Sequence, residues 1–209
     1  MKAFTVMGRV LKATYDELFM VVFLSIVWWV GTVLIITAAP TMIGVSRVAN
    51  RLANYRRVDS SFFWEAARSN FWRSWPIYLI TVVVPIALAI NIAFYSRLEG
   101  LWWAFAVFWL WAFVFSLLAA QYTFALYWQQ DEPGLLLILR NAFLLAVRHP
   151  LYSFLMLIFH LTLIIIGAVL ALPLFLLVPG MLALSANFAT TGLLQEMDLA
   201  PQPPEIPTR

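Results

Sequence analysis

Apolar and polar positions divide the chain into four long apolar runs, separated by segments in which apolar and charged residues share helical spacing. The first run, Leu18 to Ala39, matches the roughly 20 apolar residues a helix needs to cross a bilayer. The second, Ser74 to Ser96, does so too. The third, Gly100 to Gln130, would make a helix roughly 46 Å long, so it tilts or projects into water. The fourth, Pro150 to Gln195, would reach roughly 69 Å as one helix, more than a single span holds. It is expected to fold back at Ala171-Leu172-Pro173-Leu174, because proline lacks the donor that continues the helical ladder. The expectation is an all-α polytopic membrane protein with about five spans, at 18–39, 76–96, 101–128, 151–170 and 174–194. These belong to one domain, 1–195. The tail 196–209, with Pro201, Pro203, Pro204 and Pro207, is expected to be extended and flexible.

The segments between runs predict interfacial helices. Phe4, Met7, Leu11 and Leu18 share one face, and Arg9, Lys12 and Asp16 another. Further on, Met42, Val45, Ala49 and Leu52 oppose Arg47, Arg51 and Asn54. A third amphipathic helix is expected over Phe62 to Trp75, with Asp59, Ser60 or Ser61 as its N-cap. A weak repeat is also visible. Arg68-Ser69-Asn70-Phe71 before Arg73-Ser74-Trp75-Pro76-Ile77-Tyr78 parallels Arg140-Asn141-Ala142-Phe143 before Arg148-His149-Pro150-Leu151-Tyr152. Reuse of interface chemistry explains it as well as duplication does: Arg meets phosphate, Pro suits a helix's first turn, and Tyr suits the headgroup zone.

Composition sharpens this picture. Hydrophobic residues make up 64% of the chain and charged residues 11%, against about 25% charged in a soluble domain. The net charge of +3 is too small and too unevenly placed to point to nucleic acid, so it bears on orientation instead. With five spans, Arg47, Arg51, Arg56, Arg57, Arg68, Arg73, Arg140, Arg148 and Arg209 fall on one side, against Lys2, Arg9, Lys12 and Arg97. Loop cations favour the cytoplasm. The expected orientation in a bacterial plasma membrane is therefore N-terminus outside and C-terminus cytoplasmic, with the N-terminal cations as the dissenting feature.

No enzyme motif, phosphate-binding glycine loop or metal-ligand spacing is present, and the chain has no cysteine. No catalytic residue, metal or cofactor is expected. All 10 acidic residues lie outside the apolar runs, whereas ion-coupled pumps usually carry ionisable groups within the membrane. His160 is the ionisable group at that depth. A turn at 171–174 sets it level with Ser185 and near Asn187, which suggests an intramembrane polar cluster that links helices or relays protons. Asn91, Ser116 and Gln121 are further polar candidates. Pro85 and Pro179-Gly180 lie inside spans, as kinks or as helix breaks of the kind transporters use. Arg47, Arg51, Arg56 and Arg57 form a cluster suited to anionic lipid or an acidic partner.

Ser25-Ile26-Val27-Trp28-Trp29 with Ala38-Ala39-Pro40-Thr41, the segment Val45 to Tyr55, Phe62-Phe63-Trp64 to Phe71-Trp72-Arg73, and Arg140-Asn141-Ala142-Phe143 to His149-Pro150-Leu151 follow one another in an order that resembles the YesL-like family of small bacterial membrane proteins. The resemblance implies about five spans and an association with carbohydrate-uptake loci, and supplies no catalytic residues. The expected function is a non-enzymatic accessory or scaffold subunit with a protein partner such as a solute importer. A small oligomeric transporter or channel is the alternative.

Overall fold

The computed structural model describes residues 2–130 and 133–202. These form helices α1 (Lys2–Asp16), α2 (Leu18–Val33), α3 (Ala38–Ala53), α4 (Ser60–Ser69), α5 (Phe71–Tyr78), α6 (Val84–Tyr95), α7 (Trp103–Tyr127), α8 (Leu135–Arg148), α9 (Pro150–Leu170), α10 (Leu172–Leu176) and α11 (Val178–Glu196). Among the described residues there is no strand. Three helical stretches are long and apolar enough to cross a membrane: Phe71–Tyr95, Gly100–Tyr127 and Pro150–Leu170. A fourth is added if α1 and α2, bent by 94°, are taken together. The architecture is thus all-helical and compatible with a membrane location.

The first apolar run is not one helix. Its helix stops at Val33, the chain turns at 34–37 with Ile35 at φ 53°, and a new helix starts at Ala38. Gly31 faces Thr41 so closely that a Cβ would overlap the threonine side chain. The missing side chain lets α2 and α3 pack as a hairpin.

The expected interfacial helix around Met42 to Asn54 is instead the most enclosed in the fold. Every residue of α3 except Met42, Arg47 and Arg51 is buried. The arginine face lies where the spacing puts it. The remaining surface is rich in Ala, Gly and Ser, and small residues let neighbouring backbones come close. Gly44, for example, sits against the Phe63 ring.

The amphipathic stretch Phe62 to Trp75 is two helices, broken at Asn70, whose amide donates to Ala66 O and ends α4. Asp59 is the N-cap, accepting from Ser61 N at 2.8 Å.

Between α5 and α6, residues Leu79–Val83 form a π-helical turn immediately ahead of Pro85. The proline brings no donor to the ladder, and the wider turn absorbs the mismatch without ending the helix. Ala171, at φ 56°, stops α9 at the expected fold-back. The last expected span is then interrupted at Leu177, between α10 and α11. Residues 203–209, which hold Arg209 and most of the proline-rich tail, lie outside the described residues.

Candidate functional site

Two groups of residues stand out, one at a polar end of the bundle and one between its apolar helices. The polar end forms where several helix termini converge. Tyr127 OH donates to Asn70 Oδ1 at 2.6 Å, joining the end of α7 to the α4–α5 junction. Gln129 Nε2 donates to Thr191 Oγ1 at 3.0 Å, joining α7 to α11. Trp128 Nε1 donates to Ile43 O at 3.2 Å, joining α7 to α3. A cleft of about 450 Å³ is lined by Thr5, Val6 and Arg9 of α1, Tyr152 of α9, and Gln195, Glu196, Asp198 and Gln202 from the end of the chain. A second, of about 300 Å³, lies among Gln130, Asn141, Arg148, Leu194 and Met197. The segments near both ends of the chain therefore meet at one pole. The five-span expectation put them on opposite sides.

The four expected arginines are at this pole, but not as one uniform patch. Arg47 and Arg51 stand one turn apart on α3, on the same face. The Arg47 guanidinium lies over the Trp128 ring, 4.5 Å from its centroid. That of Arg51 lies over Phe62 at 3.6 Å. Arg51 Nε also donates to Arg57 O at 2.8 Å, tying the α3–α4 loop to the helix. Arg56 and Arg57 are exposed. Desolvation pulls Arg47 below the usual arginine range, with Arg51 and Arg56 adding like-charge repulsion and Glu65 opposing it. Arg51 is lowered by the same kinds of cause. Both remain charged at neutral pH, because arginine starts so high. Among the described residues neither is held in an ion pair. The aromatic partners Trp128 and Phe62 escape a reading by spacing, since Trp128 is distant in sequence. The signal available was a tryptophan at the end of an apolar run.

The second group ties apolar helices together. His160 Nε2 and Ser185 Oγ are 2.7 Å apart, linking α9 to α11 as the fold-back predicts. Asn187 is not part of that link. Its amide donates to Ser46 Oγ at 3.2 Å and to Ala183 O, and Ser46 donates to Phe124 O at 2.9 Å. It thereby joins α11, α3 and α7. A further link was not anticipated: Tyr122 OH and Ser153 Oγ are 2.7 Å apart, and Gln121 Nε2 donates to Ser153 O at 3.1 Å. Of the other polar candidates, Asn91 and Ser116 bond within their own helices, to Ala87 O and Phe113 O. Gly180 N donates to Ser25 Oγ at 3.0 Å, so the Pro179-Gly180 pair opens the start of α11 to α2.

Comparison with protein-family models, curated proteins and solved structures finds no match for this chain. The fold and its sites therefore define a class only: an all-helical protein with long apolar helices compatible with a membrane.

Proposed function

We propose that this protein is a non-enzymatic accessory or scaffold subunit of a bacterial plasma-membrane complex, one associated with carbohydrate import. The observation that carries the scaffold reading is the use made of polar groups between the apolar helices. His160, Ser185, Tyr122, Ser153, Asn187 and Ser46 bond helix to helix. Such bonds are a common way of fixing helix packing in lipid. The link to sugar import rests on the YesL-like resemblance alone. The test is co-purification in mild detergent, paired with a flux assay on the protein alone in vesicles. Recovery of importer subunits with no intrinsic flux is the expected result. Substrate flux by the isolated protein would overturn the scaffold reading in favour of a small transporter or channel.

We also infer that both ends of the chain face the cytoplasm. The hairpins α2–α3, α5–α7 and α9–α11 each leave and return to the pole where Arg9 and Glu196 line one cleft. Arg47, Arg51, Arg56, Arg57, Arg68, Arg73, Arg140 and Arg148 lie on segments of that pole. Arg97 lies beyond the start of the Gly100–Tyr127 helix, whose far end is roughly 42 Å away. This arrangement removes the conflict posed by the N-terminal cations, which now sit on the cation-rich side. In this cysteine-free chain, a cysteine at Glu99 should be labelled by an impermeant reagent in intact cells. Cysteines at Thr5 and Ser61 should need permeabilisation. Labelling of Thr5→Cys in intact cells would restore the opposite-side topology.

A further inference from the structure

The arginine pair on α3 is built unlike an ordinary positive-inside cluster. Loop cations that only set topology need no fixed geometry and stay in water. Here Arg47 and Arg51 each lie against an aromatic ring. The platforms are themselves fixed. The Trp128 indole is held by its bond to Ile43 O, and Phe62 packs against the buried cluster of Leu24, Val45, Val48 and Phe63. The loop that brings Arg56 close is clamped by the bond from Arg51 Nε to Arg57 O. Three cations are thus gathered around a partly buried helix end. Glu65 is the acidic residue that acts on both Arg47 and Arg51, and among the described residues neither is in an ion pair. Partly desolvated charge that is offset only by a carboxylate outside contact distance is unfavourable. Stacking covers one face of each guanidinium; Arg51 Nε is taken by Arg57 O, and the remaining in-plane N–H groups of the pair point away from their rings. That geometry suits planar, multidentate recognition of a phosphate.

We propose that Arg47 and Arg51, completed by Arg56, form a receptor for a phosphate group. The phosphate is carried either by an anionic phospholipid headgroup or by a soluble phosphate compound. The lipid source rests on this pole lying at the cytoplasmic membrane surface. The soluble source does not. The cysteine labelling above judges the topology separately from the receptor.

The test uses the full chain in phosphatidylcholine nanodiscs, with and without phosphatidylglycerol. Bound lipid is counted by native mass spectrometry, and inorganic phosphate binding is measured by equilibrium dialysis in the phosphatidylcholine discs. Arg47→Gln/Arg51→Gln should weaken the preferred ligand about 30-fold, from roughly 5-fold for each cation near the surface. Arg47→Lys/Arg51→Lys keeps the charge and helix, and should still lose part of the binding, because an ammonium cannot form the fork. Phosphatidylglycerol enrichment that falls in this order supports the receptor with a lipid source. Inorganic phosphate binding that falls in this order supports it with a soluble source. Equal binding by wild type and both variants in both arms overturns the proposal, as would a lysine pair that binds as tightly as the arginines.

Discussion

The α5–α7 hairpin and the α3–α11 pair are both helical and largely uncharged, yet they occupy opposite environments. In each of the candidate spans Phe71–Tyr95 and Gly100–Tyr127, only 11% of the most apolar window is buried within the protein. Their outer faces carry Ile86, Ile90, Phe105, Phe108 and Trp111, all exposed. The turn joining them bears Arg97 and Glu99. In α11, by contrast, only Leu182, Ala183, Ala186, Gly192, Leu194 and Glu196 escape burial. The buried face of that helix includes Ser185, Asn187, Thr190 and Thr191. The greasier helices are outside and the more polar ones inside. This is the order a lipid solvent produces. Burying apolar surface against protein gains nothing over burying it against lipid tails, so close packing and interhelical hydrogen bonds select what goes inside.

The sharpest way to break this contrast is to add side-chain volume to each region. A Cβ on Gly180 would stand 2.7 Å from the backbone oxygen of Val21 and 3.1 Å from Ser25 Oγ. The backbone cannot step aside as a side chain can, and the Ser25–Gly180 hydrogen bond lies in the same contact. Gly180→Ala should therefore destabilise the protein by about 1–3 kcal/mol, the usual cost of overpacking. Ala93→Leu adds more volume on the exposed face of α6 and should stay within about 0.5 kcal/mol of wild type. Denaturant titration in mild detergent measures both. Similar losses for the two variants would mean that α6 is as tightly enclosed as α11.

The same contrast explains what could be read from the sequence. Hydropathy located Phe71–Tyr95, Gly100–Tyr127 and Pro150–Leu170 well, because those helices are long, apolar and little buried within the protein. Pairing across the fold-back at Ala171 brought His160 to Ser185, since a tight turn fixes depth on both helices. Hydropathy failed on α3. Four alanines, Gly44, Ser46, Asn50 and the two arginines dilute its apolar score, so a largely buried helix looked like a surface one. The small residues themselves were the signal, as in Gly31 against Thr41 and Gly44 against Phe63. The Tyr122–Ser153 bond and the stacking of Arg47 on Trp128 depend on which helices become neighbours. No local spacing carries that information.

A smaller effect is expected at the polar links between the apolar helices. Ser153 is buried and the Tyr122 hydroxyl bonds to it, so Ser153→Ala leaves a buried hydroxyl without that partner. The loss should be about 1 kcal/mol, near the upper part of the range found for such bonds in bilayers. His160→Leu removes the bond to Ser185 and should loosen the α9–α11 packing by a similar or smaller amount. His160→Gln should be tolerated, because an amide can also donate and accept. Stability and cellular function must be read together in these variants. A His160→Gln protein that assembles normally but has lost function would show that titration matters, since an amide does not titrate as imidazole does. The histidine would then belong to a transport path rather than to the scaffold.

The smallest effect lies at the polar pole, where water competes with every interaction. Asp59 caps α4 by accepting from Ser61 N at 2.8 Å. Hydrogen bonds from the backbone and side chain of Ser61 hold its carboxyl below the ordinary aspartate range, with a lesser contribution from Arg57. A carboxylate whose folded pKa is depressed stabilises the folded state at all pH values above its unfolded pKa. That contribution is lost as pH falls through the folded value. Raising the pH above neutral should therefore change nothing at α4, while acidification below about pH 4 should fray its first turn. Amide exchange at Ser61 and Phe62, compared between neutral and acidic buffer, reads this directly. Asp59→Asn should retain the cap at neutral pH, since asparagine is an equally good N-cap, and should remove the acid-dependent fraying. Asp59→Ala should fray at both pH values. The exposed site is screened by salt, so high ionic strength should reduce the Arg57 contribution and leave the Ser61 hydrogen bond in place. If exchange at Ser61 is the same for all three proteins in acid and at neutral pH, the start of α4 is held by packing of Phe63 against Gly44 rather than by its cap. The pole would then be governed by the same close packing as the α3–α11 interior.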